Sequence, residues 1–338
     1  MRQSGGRKKP DGRRSGQPTR SSLYCHESRA GGTGHSVKNR PGGLLDWRVR
    51  RLIINADDFG LTSGVNRAIV EAHDRGVVSS ATLMANGHAF EEAVSLAKHR
   101  PRLGVGCHVV LVDGTPVVEP RQVKSLLHPS ADSHFHEGIG KFGGLALLGR
   151  FAPDEIEAEA VAQIRKIQSA GIVVTHLDSH KHTHIFPQVL QPLLRAAKAC
   201  GIRAIRNPFE RLQGSQLAAS PRMWKRWIEV GVLRSFAKQF RELVQQTGIF
   251  TPDGTLAIVA TGTLNEHLLR LMIDNLPEGT WELVCHPGYN DADLQAVRTR
   301  LRAAREEELR ILTAPSTRDL LKANGVELTS FREAIAAK

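Results

Sequence analysis

Cysteine, aromatic residues and long apolar runs are all scarce in this chain, and each scarcity excludes something. Four cysteines occur among 338 residues, at Cys25, Cys107, Cys200 and Cys285. None forms a CxxC pair, so no disulfide framework is encoded and a reducing, cytoplasmic location is expected. A membrane-crossing helix needs about twenty mainly apolar residues, whereas a run such as Gly143 to Leu148 stops at once. A secretory signal needs an apolar stretch of roughly seven to fifteen residues near the start, and residues 1–50 offer none. Neither a membrane span nor export is expected.

Acidic residues are outnumbered too, 34 against 46 Lys and Arg, for a formal net charge of +12. The excess sits at the front: residues 1–50 carry twelve basic and three acidic side chains, so the body has a net charge of only +3. No nucleic-acid partner is expected from a body so nearly neutral. The front stretch is rich in Gly, Ser and Arg and has no apolar periodicity, so it cannot offset the entropy of ordering. We read 1–50 as a disordered basic extension, dispensable to a domain at 51–338.

An apolar fraction of 41% suffices for a full-sized core. From Arg51 onward, short β-branched runs alternate with helical patterns, the mark of an α/β fold with a parallel barrel of about seven βα units. Strands are expected at Leu52 to Ala56, Ser80 to Met84, Gly104 to Val110, Val173 to Leu177, Arg203 to Arg206, Leu256 to Ala260 and Trp281 to Cys285. Helices are expected at Val65 to Asp74, Ala89 to Lys98, Asp154 to Ser169, Gln188 to Cys200 and Glu266 to Asn275, then one charged helix from Asp293 to Leu312 and a piece at Ser316 to Asn324. The stretch 111–150 reads as an irregular lid, and 210–250, with Trp224, Trp227 and Phe236, as an excursion from the core.

Unusual polar residues fall at the ends of four expected strands: Asp57 and Asp58, His108, the group from His176 to His184, and His286. In parallel barrels the active site lies at that edge. Adjacent carboxylates repel, and a divalent cation is the simplest compensation. Imidazole with carboxylate suits zinc, while oxygen-rich sites suit magnesium, so ligand type leaves the metal open. Neighbours on a strand point to opposite faces, so Asp57 and Asp58 share one pocket only if the strand breaks, which Phe59-Gly60 permits. Singly, each residue has a plainer reading: a turn or cap for the Asp pair, a hydrogen-bonded core imidazole for His108, a turn opening for His286. Four together point to a metal-dependent hydrolase.

At these residues the chain resembles the YdjC-like family of carbohydrate deacetylases, which includes chitooligosaccharide deacetylases and a hopanoid-biosynthesis-associated branch. The resemblance rests on NADDFG at 55–60 followed by Asn66, SSATLMANG at 79–87, GVGCHVVL at 104–111, THLDSHKHTHIFP at 175–187 and ELVCHPGY at 282–289. It implies a distorted (β/α) barrel related to polysaccharide deacetylases, and removal of an acetyl group from an N-acetylated carbohydrate or glycolipid. It further implies one divalent metal ion, Mg2+ or Zn2+, held by Asp58, His108 and His180, with Asp57 as general base. The mechanism then needs an acid for the leaving nitrogen. His286 is the first candidate and His184 the second, His184 being also the alternate ligand. Asp178 would orient a ligand histidine, and Arg206 would touch the oxyanion or substrate. The family's usual segment reads DSHHHxH, and here Lys181 replaces the middle His. Rival readings are a metal-dependent hydrolase of a phosphate ester or cyclic amide, and an inactive sugar-binding barrel. A homodimer is left open.

Overall fold

The computed structural model describes residues 49–130, 133–210 and 234–337. The basic extension lies outside these residues except for its last two, and so do Trp224 and Trp227. Among the described residues the sheet has seven strands, all paired in parallel: β1 (Arg50–Phe59), β2 (Ser80–Leu83), β3 (Gly104–Val109), β4 (Leu177–Ser179), β5 (Gly254–Leu256), β6 (Gly279–Cys285) and β7 (Val326–Thr329). Their order is β4-β3-β2-β1-β6-β5. β1 has β6 along one side; on the other, β7 pairs with Arg50 to Ile53, and β2 with the stretch from Asn55 to Phe59.

Beyond the two edge strands, the chain at 204–210 carries the sheet round. Ile205 bridges to Leu177 of β4, and Glu210 bridges to Thr255 of β5. This is where a fifth strand was expected at Arg203 to Arg206; the described contacts there are isolated bridges, because Pro208 interrupts the run. The fourth strand also differs. It begins at Leu177, and Val173, expected within it, is 73% exposed.

Helices cover the outer face. The helix α1 (Ser63–Asp74) starts at Thr62, whose side chain accepts from the Val65 N–H. It is followed by α2 (Phe90–Lys98), α3 (Ile139–Leu147), α4 (Pro153–Ser169) and α5 (Pro187–Ala199). Then come α6 (Ala237–Thr247), α7 (Glu266–Asp274), α8 (Ala292–Ala296), α9 (Ala303–Thr313), α10 (Pro315–Ala323) and α11 (Phe331–Ala336). The expected single helix from Asp293 to Leu312 is thus two, α8 and α9. β7 and α11 were not anticipated.

The stretch 111–150 is fastened rather than irregular. It holds two short 3-10 turns, a bridge between Leu127 and Phe135, and α3. Glu159, fully buried on α4, accepts from the Val117 and Val118 N–H groups, and Glu155 accepts from Ser125. One turn further, Gln163 exchanges hydrogen bonds with the Val110 backbone. A polar stripe at four-residue spacing therefore satisfies backbone groups that a loop would otherwise leave unpaired.

Candidate active site at the carboxyl edge of the sheet

β1 delivers two carboxylates because its backbone turns at Asp58, where φ is +67° and the pairing with β2 shifts register between Ala56 and Phe59. The break falls one residue earlier than Phe59-Gly60, at the aspartate itself. Asn66 holds the turn that follows. Its side-chain carbonyl accepts from the Gly60 N–H at 2.7 Å, and its amide donates to Ala89 O and to Glu92. Gly60 sits at φ +91°, a conformation that residues with a side chain rarely adopt.

Asp58 Oδ1 lies 3.5 Å from His108 Nε2 and 3.4 Å from His180 Nδ1, and the two ring nitrogens are 3.3 Å apart. His108 projects from β3, and His180 opens the turn after β4, where Lys181 and His182 both adopt left-handed backbone. Asp58 and His108 are buried, and His180 is partly exposed. Donor atoms bound to one zinc-like ion at about 2.0–2.2 Å with tetrahedral angles sit roughly 3.3–3.5 Å apart. Asp58 Oδ1 is also buried with no hydrogen-bond donor. A buried carboxylate oxygen left without a donor, facing two imidazole nitrogens, is a fit for a cation.

His108 Nδ1 lies 2.7 Å from Asp178 Oδ1, as expected for a carboxylate that orients a ligand. Burial pulls the His108 pKa down, but the Asp178 carboxylate and hydrogen bond outweigh it, and the ring is pushed up to about 9. Without a metal it is an imidazolium; a metal would replace the Nε2 proton while Nδ1 keeps its own and donates it to Asp178.

Arg206 differs from its expected role. It is fully buried and spans the barrel interior, donating to Asp57 of β1 at 2.6 and 2.7 Å and to Glu282 of β6 at 2.8 Å, with Asp178 of β4 at 2.5 Å. Nε, Nη1 and Nη2 are all committed to carboxylates, so it positions those groups. Burial raises the Asp57 pKa, yet Arg206 prevails and holds this carboxylate far below the usual range. Asp57 Oδ1 accepts further from Asn55 at 2.9 Å and Thr82 at 3.3 Å. Asp57, His108 and Asp178 form a second cluster with donor spacing, but its atoms are already engaged by Arg206 and by each other.

His286 follows β6, with its Nε2 3.9 Å from Asp57 Oδ2 and its Nδ1 buried without a partner. Burial outweighs the nearby carboxylates and pushes its pKa down to about 4, so the ring is neutral near pH 7. His184 is fully buried, bonded to Ser179 Oγ at 2.6 Å, and stands outside the Asp58 cluster. Lys181 is ion-paired with Asp113 in the stretch after β3.

Sequence reasoning missed Arg305 and Glu308. Both are buried on α9: Arg305 Nη2 donates to Asp58 Oδ2 at 2.5 Å, and Glu308 accepts from the His286 N–H at 2.5 Å. The available signal was their place on the buried face of α9, in line with Leu309 and Leu312.

The fold and the site define a parallel α/β barrel with an acid and imidazole centre at the carboxyl ends of its strands. The YdjC-like protein family model matches residues 51–323, and the chain belongs to that family. It is 36% identical over 287 residues to a carbohydrate deacetylase of Brevibacillus brevis, covering 84% of this chain and 99% of the relative. A carbohydrate deacetylase of Mus musculus is 33% identical over 304 residues, covering 83% and 94%. Among solved structures, one from Enterococcus faecalis, described as a candidate cellobiose-phosphate cleavage protein, aligns with a TM-score of 0.69 at 26% identity, over 85% of this chain and 99% of that one.

Proposed function

We propose that this protein removes the acetyl group from an N-acetylated sugar, oligosaccharide or glycolipid, with one divalent metal ion at Asp58, His108 and His180. The observation that carries the reading is the triangle of Asp58 Oδ1, His108 Nε2 and His180 Nδ1, 3.3 to 3.5 Å on a side, in a chain whose relatives are named carbohydrate deacetylases. Two imidazoles favour Zn2+ and the carboxylate admits Mg2+. A metal bound there would polarise the acetamide carbonyl and acidify a water.

The side chains then handle one proton. Asp57 is kept ionised by Arg206 and accepts it from the attacking water; the same guanidinium makes it a weak base that does not keep the proton. His286, neutral at rest and 3.9 Å from Asp57, takes that proton and delivers it to the amide nitrogen as the C–N bond breaks. Water supplies hydroxide to the acetyl carbon and a proton to the amine, so acetate and a free amino sugar leave. Cys107, Cys200 and Cys285 are free thiols, which supports action in the reducing cytoplasm. Among the described residues no helix is long and apolar enough to cross a membrane.

A panel of N-acetylglucosamine oligosaccharides, N-acetylated glycolipids, sugar phosphates and cyclic amides, read for acetate, phosphate and ring opening, tests the reading. Acetate release alone supports it. Phosphate release or ring opening without acetate would assign the site to a different bond.

A further inference from the structure

Asp58 meets two different environments with its two oxygens. Oδ2 receives the Arg305 guanidinium at 2.5 Å, while Oδ1 has no donor and faces His108 and His180. A carboxylate can rotate about its terminal bond and exchange its oxygens. It sits here on a left-handed backbone that no glycine relieves. Arg305 is itself fixed, 1% exposed, with Nε donating to Leu301 O at 3.1 Å. Its stem lies against Gly288, where an added Cβ would approach Arg305 Cδ to 2.8 Å, and the Gly288 N–H donates to the Arg305 carbonyl. The guanidinium thus reaches Asp58 from a helix locked onto the His286-Pro287-Gly288 turn.

We infer that Arg305 is a positioning residue for the metal centre: by engaging Asp58 Oδ2 it makes Asp58 a one-oxygen ligand and aims Oδ1 at the point shared with His108 and His180. This rests on the metal reading proposed above. Charge alone argues the other way, since a guanidinium beside a divalent cation repels it. The two effects therefore differ in sign. If geometry governs, losing Arg305 weakens metal binding; if charge governs, losing it tightens binding.

The test is titration of the full chain with Co2+, followed by its visible absorption, in wild type, Arg305→Gln, Arg305→Lys, His108→Ala and Asp58→Asn, with thermal melts of the metal-free proteins. Arg305→Gln is expected to lower Co2+ affinity roughly 10–100-fold, the usual effect of losing a group that orients a ligand. Its absorption band should change as Asp58 becomes free to offer both oxygens. Combined with Asp58→Asn, Arg305→Gln should lower affinity no further. If Arg305→Gln melts before titration, Arg305→Lys is read by the same criteria, because it keeps the charge and loses the planar fork. Affinity equal to or tighter than wild type, with an unchanged band, overturns the positioning role. A wild-type Co2+ signal indifferent to His108→Ala overturns instead the metal reading beneath it.

Discussion

His108 and Asp178 are joined by a 2.7 Å contact between Nδ1 and Oδ1, which leaves the far nitrogen of the imidazole facing Asp58 and His180. The contact fixes which nitrogen is offered to a metal. Asp178→Asn keeps the shape but loses the charge, and is expected to weaken Zn2+ affinity about 10–100-fold. Calorimetric titration measures it; affinity equal to wild type would show that Asp178 does not orient the ligand.

Arg206 compensates Asp57, Asp178 and Glu282 in a space closed to water. Removing one partner from a buried ionic network costs about 3–5 kcal/mol, because the charges left behind are unpaired. Arg206→Met is expected to lose stability of that order in urea denaturation at pH 7. The deficit should shrink on acidification as the abandoned carboxylates take up protons. An equal deficit at all pH values would contradict the electrostatic account.

Much of this was legible from the chain, and the exceptions share a cause. Strand ends bearing Asp57, Asp58, His108 and His286 stand out because polar residues follow apolar β-branched runs. Arg305 and Glu308 sit in a helix so charged that it reads as solvated, and only their place on the buried face with Leu309 and Leu312 separates them from the exposed Glu306 and Arg310. Arg206 stands out in the sequence, but nothing local places Asp57, Glu282 and Asp178 around it. The residues from Arg203 to Arg206 look like a strand and lie between two edge strands, yet make isolated bridges. β7 escaped notice because its four residues, buried at Val326 and Thr329 with Glu327 and Leu328 exposed between them, show no period-two alternation.

Glu210 accepts from the Ala257 and Val259 N–H groups at 3.0 and 2.8 Å, and burial pushes its pKa up to about 7. The folded state therefore holds its proton above the pH at which the unfolded chain releases it. The stability this contributes is complete below about pH 4.5, the ordinary value, and is lost as pH rises through about 7. Glu210→Gln does not titrate, so its melting temperature should gain on wild type between pH 4.5 and 8. A constant difference would contradict the raised pKa.

Gly106 lies on β3 where a Cβ would stand 2.6 to 2.7 Å from three atoms of the His176 ring, which stacks on Phe331. His176 in turn bonds Asn55, which donates to Asp57. Gly106→Ala should cost about 1–3 kcal/mol by overpacking, read by chemical denaturation. A neutral substitution would mean the ring has room to move.

The central claim is that Asp58, His108 and His180 hold the metal on which acetyl removal from a sugar depends. It is tested most directly by measuring acetate released from N-acetylated chitooligosaccharide by metal-stripped protein as Zn2+ or Mg2+ is added back, beside His108→Ala. The account predicts no acetate before metal, release that saturates with metal in wild type, and none in the variant. Acetate release without metal, or at wild-type level in His108→Ala, would contradict it.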